Sequence, residues 1–330
     1  MDNPQELRLG TRGSQLALWQ ANTVAARIVA AGGPACRIVV IKTDGDRLQE
    51  RPLSEIGGKG LFVKEIEDAL LGGEIDLAVH SSKDMSAVLP AGLTIAGVLP
   101  RENPLDAVVL PAGAGNSGLG ARRTMPIAEL IAALGPSPSI GTGSVRRIAQ
   151  LTRLLPGARF TGIRGNLDTR LRKLDEGVHD ALVLAAAGLT RLGFAARISL
   201  SIPAEVCVPA PGQGIVAIEI RGGDARTHAA VARITDQAAG DALMAERTLV
   251  ATLGGGCQTP VGALASVVDE DQLEIIAAVV ALDGSRLVRG QARAARREAA
   301  ALGARVGAQL IADGAGEILA QARQVQGSQS

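Results

Sequence analysis

The chain has 330 residues, 47% hydrophobic and 20% charged, with 34 basic residues against 33 acidic ones. That length allows two or three domains, because single cores stop growing near ~250–300 residues, and the apolar share excludes a disordered chain. A net charge of +1 with one Trp, three Phe and no Tyr argues against a general nucleic-acid binder, which needs a basic surface and stacking aromatics.

In chain order, Glu6–Leu9 reads as a strand and Gln15–Ala31 as a helix with Leu16, Trp19, Val24 and Ile28 on one face. Cys36–Ile41 is β-branched and strand-like. Thr43–Gly60, with Asp44-Gly45, Pro52 and Gly57-Gly58, is a long loop poor in apolar residues and suits a mobile lid. Leu61–Leu71 has helical periodicity and stops at Gly72-Gly73. Ile75–Val79 is a buried strand whose carboxyl end delivers His80-Ser81-Ser82-Lys83-Asp84. Thr94–Val98, Ala107–Leu110, Phe160–Ile163 and Ala181–Leu184 continue the strand series. Pro111–Arg123 is a Gly/Ala-rich surface insertion, and Pro126 opens a helix that Gly135 closes. Such βα alternation predicts mainly parallel sheets with helices on both faces, and ligands beyond the carboxyl ends of the strands. After about Thr235 the pattern changes to a helix through Met244–Leu253, strands Val261–Val268, Leu273–Leu282 and Leu287–Ala294, and helices Ala299–Ala312 and Glu317–Arg323. That predicts a small α+β domain, with Gly327–Ser330 as a disordered tail.

Two loops carry most of the chemistry: Gly141-Thr142-Gly143-Ser144-Val145-Arg146-Arg147 and Ile163-Arg164-Gly165-Asn166-Leu167-Asp168-Thr169-Arg170. Each follows an apolar run and enters a helix, where unpaired N–H groups and the dipole favour anions. Arginine adds a fork that matches a carboxylate or phosphate in two hydrogen bonds. Any single arginine there is more simply a solvated helix start; together they predict a ligand with several negative charges. Gly141-Thr142-Gly143 fails as a dinucleotide fingerprint because Arg146 stands at its third position, and no Ser or Thr follows Lys59 to complete a phosphate loop. Three scattered histidines and no nucleophile elbow argue against a hydrolase triad. Asp84, beside Lys83 at a strand end, suits an ionised carboxylate that stabilises a cation, or equally a helix N-cap. Cys257 follows three glycines and suits a nucleophile or attachment point, or a small buried residue. Cys36 and Cys207 suit burial. An odd cysteine count without C-x-x-C or Cys/His spacing predicts neither disulfides nor a metal site. Met1-Asp2-Asn3-Pro4 is no signal peptide and no apolar run approaches a membrane span, so a cytoplasmic protein is expected.

Taken in order, several segments resemble the porphobilinogen deaminase (hydroxymethylbilane synthase) family. They are Leu9-Gly10-Thr11-Arg12-Gly13-Ser14-Gln15-Leu16-Ala17-Leu18-Trp19-Gln20, Gly57–Leu71, Ala78-Val79-His80-Ser81-Ser82-Lys83-Asp84, and Gly141–Arg147. They continue with Arg164–Leu171, Pro209-Ala210-Pro211-Gly212-Gln213-Gly214, and Gly255-Gly256-Cys257-Gln258-Thr259-Pro260-Val261-Gly262. The resemblance implies a transferase that deaminates porphobilinogen and joins the units into a linear tetrapyrrole released as hydroxymethylbilane. Each unit brings two carboxylates and passes through a cation, which matches many arginines around one carboxylate. By resemblance, Cys257 carries a dipyrromethane cofactor as a thioether and Asp84 is the catalytic residue. Lys83, Thr142, Ser144, Arg146, Arg147 and Arg170 would hold the cofactor and growing chain. Arg12, Ser14, Arg164, Arg191 and Gln213 would bind incoming substrate, with Lys59 and Phe62 on the lid. The sequence departs from the family pattern at Met85-Ser86, Gly143, Leu105 and Gly254.

The implied fold is α/β, with two periplasmic-binding-protein-like domains of mixed, mainly parallel sheets and a small C-terminal α+β domain. Expected boundaries are 1–103 with 215–235, 104–214, and 236–330. A monomer acting on a small molecule, without nucleic acid or membrane, is expected. The rival reading, a non-catalytic anion-binding module on the same scaffold, would need the arginines but neither Asp84 nor Cys257.

Overall fold

A computed structural model describes residues 6–43, 63–113, 125–255 and 259–327. In chain order the elements are β1 (Leu7–Thr11), α1 (Gln15–Ala30), β2 (Cys36–Val40), α2 (Lys64–Leu71), β3 (Leu77–Ser81), a 3-10 turn (Ser82–Asp84), β4 (Leu93–Val98) and β5 (Asp106–Val109). There follow α3 (Ile127–Leu134), β6 (Ser139–Gly141), α4 (Val145–Leu154), β7 (Arg159–Thr161), α5 (Leu167–Asp175), β8 (Ala181–Ala185), α6 (Ala186–Arg191) and β9 (Leu200–Ile202). The chain closes with β10 (Val216–Arg221), α7 (Ala225–Ala232), α8 (Gln237–Thr252), β11 (Val261–Val267), β12 (Gln272–Val280), β13 (Leu287–Ala295), α9 (Ala299–Leu310) and α10 (Gly316–Gly327).

Two five-stranded sheets, ordered β2-β1-β3-β10-β4 and β7-β6-β8-β5-β9, hold the first two-thirds of the chain. Both are mixed. β1 pairs in parallel with β2 and β3, as does β6 with β7 and β8, while β10 and β5 run antiparallel to their neighbours. The chain leaves the first sheet after β4, builds the second, and returns as β10 between β3 and β4. Central strands covered on both faces need unbroken apolar runs. Accordingly, residues 77–80 of β3 and 216–220 of β10 are all buried. That burial includes Glu219, whose carboxylate lies 3.1 Å from His80 Nε2 across the sheet. Separate apolar clusters lie on the faces of each sheet, one of them joining Ala21, Val24 and Ile28 of α1 to Leu9, Leu77 and Ile218.

The third sheet, β11-β12-β13, is wholly antiparallel and packs on α8, α9 and α10. Gly303 and Gly307 let α9 lie against α8: a Cβ at either would collide with Ala245, Leu249 or Thr252. Thus an α/β pair of mixed sheets is followed by a small unit with its own antiparallel sheet.

One helix face differs from its expected pattern. The buried stripe of α1 is Gln20, Ala21, Val24 and Ile28, whereas Trp19 is 38% exposed and Leu16 lines a cleft. Leu16 and Ala17 face the cleft, and Trp19 packs under the Arg191 guanidinium instead of entering the core. The expected lid, Lys59, Phe62, Cys257 and most of Pro111–Arg123 lie outside the described residues.

Candidate active site

The site is organised around the end of β3. Its last residue, Ser81, leads into the 3-10 turn, which is held by Ser82 N–H to Ile215 O (3.0 Å) and Met85 N–H to Ser82 O (3.2 Å). Met85, a departure from the family pattern, is buried against Val63, Val98, Ile215 and Leu243 and pins the exit of the turn. Gly212, at φ 73°, lies against Ser82 and donates its N–H to Glu246 (2.5 Å), so the segment before β10 wraps closely around the same turn.

Consecutive residues of this turn serve different cavities. Asp84 lines a cleft of ≈ 430 Å³, open mouth included, together with Arg12, Ser14, Gln20, His80 and Ser81. Lys83 lines a second cavity of ≈ 600 Å³ with Ser144, Arg146, Pro211, Arg247 and Thr259. Both residues lie in the 3-10 turn, where three residues per turn set successive side chains about 120° apart, which is how one short element serves both. In the first cleft Ser14 caps α1 by accepting from Ala17 N–H (3.3 Å), and Gln20 donates to Ser81 Oγ (2.9 Å).

Beside the second cavity, Ser144 caps α4 by accepting from Arg147 N–H (3.5 Å), and Thr142 is buried just before it. The guanidiniums that follow do not face solvent. Arg146 donates through Nη1 and Nη2 to the Asp106 carboxylate (2.7 and 3.1 Å) and to Val208 O (2.9 Å). Arg147 donates through Nε to Asp106 Oδ1 (2.9 Å) and through Nη1 to Val183 O (3.1 Å). Gln213, placed on the substrate side by resemblance, is fully buried in this same cluster and donates to Asp106 (2.9 Å) and Pro104 O (2.7 Å). Arg146 Nε is buried without a hydrogen-bond partner, an unspent donor on a guanidinium that lines the cavity.

Electrostatics follow from this crowding. Burial disfavours an ionised Asp106, but Arg146 and Arg147 overcome it and hold the carboxyl far below its usual range. Burial pushes Lys83 down to about 8, against Asp84 and Asp106, while Arg147 and Arg146 add to the depression. Burial and then Arg147 lower Arg170, and burial lowers Arg191. Cys207 is pushed up to about 12, chiefly by burial, so its thiol is inert.

The remaining arginines are dispersed. Arg170 donates through Nε to Gly165 O (2.8 Å). Arg191 donates to Gly214 O (2.6 Å) and stacks 5.6 Å from the Trp19 ring centroid, joining α6 to α1. Sequence reasoning did not find Asp106, Arg247, or the Arg101–Glu246 pair (2.6 Å) that ties the segment after β4 to α8. A lone acidic residue opening an apolar strand carries no local signal of its partners. Among the described residues, no group of three or more His, Cys, Asp or Glu side chains is arranged to hold a metal ion. No described helix is long and apolar enough to cross a membrane.

Residues 7–229 match the family model for the porphobilinogen deaminase dipyromethane cofactor binding domain, and residues 241–312 match that for the porphobilinogen deaminase C-terminal domain. The porphobilinogen deaminase of Moorella thermoacetica is 42% identical to this chain, covering 96% of it and 97% of the relative. That of Pelotomaculum thermopropionicum is 44% identical, covering 97% and 98% respectively. The Bordetella bronchiseptica porphobilinogen deaminase is 44% identical over 96% of both chains. A solved VFT2 domain of Bordetella pertussis BvgS is only weakly similar in shape, with 15% identity and a TM-score of 0.39 over 70% of this chain and 87% of that one.

Proposed function

The chain belongs to the porphobilinogen deaminase family, and we propose that it divides the family reaction between the two cavities that meet at Lys83 and Asp84. The reaction polymerises porphobilinogen into hydroxymethylbilane in tetrapyrrole biosynthesis, and ammonia leaves as each unit is added. The observation that carries the division is that Asp84 and Lys83 are adjacent on one rigid turn yet line different cavities.

In this reading the Asp84 cleft receives porphobilinogen. Arg12 and Ser14 bind its side-chain carboxylates at the start of α1, where the helix dipole favours anions. Arg164 and Arg191 extend that cradle. Loss of ammonia leaves a methylene-pyrroleninium cation, and a preorganised carboxylate beside it lowers the barrier by electrostatic stabilisation. Asp84 supplies that charge and accepts a pyrrole N–H.

The second cavity fits dipyrromethane. Its polar lining includes the cations Lys83, Arg247 and Arg146, the last with an unspent Nε donor, and the hydroxyl of Ser144, a set suited to carboxylates. Its rim includes Thr259, two residues after Cys257 in sequence, and Cys257 is proposed as the attachment point. When bound, the cofactor supplies the free pyrrole carbon that meets the electrophile. Thr142, Ser144, Lys83, Arg146, Arg147 and Arg170 hold its carboxylates and those of the growing chain, with Gln213 acting through the Asp106 cluster. Lys59 and Phe62 are assigned to the lid on the family resemblance alone.

The proposed units are 1–103 with 215–235, 104–214, and 236–330. The return of β10 into the first sheet and the separate antiparallel sheet support them. A cytoplasmic monomer that acts on free porphobilinogen completes the proposal.

Intact mass and steady-state kinetics test the division together. Wild-type chain should carry the added mass of dipyrromethane, and Cys257→Ser should carry none. Arg12→Leu should keep the added mass and raise KM for porphobilinogen by about tenfold, the worth of one charge-assisted hydrogen bond. Arg146→Leu should lose the added mass. Wild-type mass and KM in both arginine variants would sink the two-cavity assignment, and an unmodified wild-type chain would return the anion-binding module to first place.

A further inference from the structure

Among the fully buried carboxylates that the division of labour above leaves without a task, Asp106 is the one bonded to the arginines of the second cavity. Asp106 opens β5 with no exposed surface and is reached from two other segments, 146–147 and 207–213. Arg146 Nη1 and Nη2 donate to its two oxygens, and Arg147 brings Nε at 2.9 Å and Nη2 at 2.8 Å to Oδ1. Gln213 Nε2 adds a bond at 2.9 Å, and the Cys207 thiol lies 3.4 Å from Oδ2. An unpaired buried carboxylate would protonate or unfold its surroundings, so this one persists only because two cations face it.

The arithmetic of charge then matters. Two guanidiniums on one carboxylate leave the cluster positive, so Asp106 does not cancel the cradle. What it does is fix each guanidinium plane. Arginine side chains have many rotamers, and a bidentate partner removes that freedom before a ligand arrives, which is the cost preorganisation saves. Arg146 meets Asp106 through Nη1 and Nη2, and this geometry leaves Nε buried and unpartnered. Asp106 also ties the start of α4 to the 207–213 segment, whose Ala210 and Pro211 form a wall of the same cavity.

We propose that Asp106 is a positioning residue for the dipyrromethane site, orienting Arg146 and Arg147 so that their remaining N–H groups meet pyrrole carboxylates. The proposal rests on the reading that these arginines hold the cofactor. It takes no part in bond making; its effect passes through the two guanidiniums.

The test follows cofactor occupancy of the folded chain. Wild type, Asp106→Asn, Asp106→Glu and Arg146→Leu, each freed of cofactor, are incubated with porphobilinogen and weighed intact, with thermal unfolding as the check on folding. Asn keeps the shape but drops the charge and turns a donor toward the guanidiniums, so occupancy should fall by about tenfold, as for one misaligned charge-assisted hydrogen bond. Glu keeps the charge but displaces it by a methylene, so its occupancy should lie between those of Asn and wild type.

A folded Asp106→Asn with wild-type occupancy overturns the proposal, because a purely structural carboxylate changes unfolding and leaves loading intact. Where Asn does not fold, Glu decides: reduced occupancy supports positioning and wild-type occupancy overturns it. Loss of the fold in both variants assigns Asp106 to stability alone and also overturns it. Wild-type occupancy in Arg146→Leu would instead sink the reading beneath, which separates the two failures.

Discussion

The turn from β1 into α1 and the turn from β6 into α4 are built alike. Each ends a strand, places a serine at the helix N-cap and sets arginine beside it. In the first, Arg12 precedes the cap and lines an open cleft with Asp84. In the second, Arg146 and Arg147 follow the cap, fall on the inner face of the first helical turn and are buried against Asp106. The difference teaches that the register of an arginine relative to its cap decides whether it meets a cleft or the core. Once it meets the core, a remote carboxylate has to accompany it. A half-buried cation at an open cleft can bind a ligand that comes and goes, whereas one buried against a carboxylate suits a group that stays.

The largest expected effect tests the open cleft that Arg12 shares with Asp84. Asp84→Asn keeps the shape and loses the charge, and should cost at least ~10²–10³ in kcat, the scale of a preorganised electrostatic contact. Asp84→Glu keeps the charge and should retain measurable turnover. Single-turnover quench of cofactor-loaded protein separates them, and Asn equalling Glu would make Asp84 a structural residue of the turn.

Next in size is the stability contrast between the two turns. Arg146→Leu leaves a fully buried carboxylate short of one of its two cations and should lower unfolding free energy by about 3 kcal/mol. Arg12→Leu, at a cleft edge, should cost under ~1 kcal/mol. Urea unfolding at neutral pH reads both. Equal losses would mean that burial does not distinguish the turns.

The last effect concerns Lys83, which lines the same cavity as Arg146. Burial depresses it to about 8, so between that value and the free-lysine value of 10.5 the unfolded chain binds more protons than the folded one. Stability from this group therefore rises with pH across that window and is at its lowest below it. Lys83→Met removes the penalty. It should be more stable than wild type at neutral pH and lose that advantage as pH climbs through the window. A pH-independent difference would show that the ammonium is well hydrated.

Much of this architecture could be read from local pattern. Glycines and the Pro126 start bounded the helices, apolar runs located the strands to within a few residues, and the strand end at His80–Asp84 was visible because a continuous apolar run stopped there. Arg12, Ser14 and Asp84 do share one cleft, and Lys83, Ser144 and Arg146 another. Trp19 misled because helical periodicity shows which residues share a face and not what packs against it: an arginine from α6 covers this ring, which stays 38% exposed. Gln213 sits inside the Asp106 cluster instead of facing the cleft, for a similar reason: Gly212 and Gly214, both at positive φ, turn its side chain inward.

By itself the sequence determined the order of elements, the capped arginine turns and the carboxylate at the end of β3, because these depend on spacings of a few residues. Only the tertiary structure decided that β10 returns between β3 and β4, that Asp106 receives arginines some forty residues further along the chain, and that Lys83 and Asp84 look into separate cavities. The physical reason is range. Helix caps and strand periodicity are settled by neighbours along the chain, whereas the pairing of a buried charge is settled by whatever the packed sheets bring within about 3 Å of it.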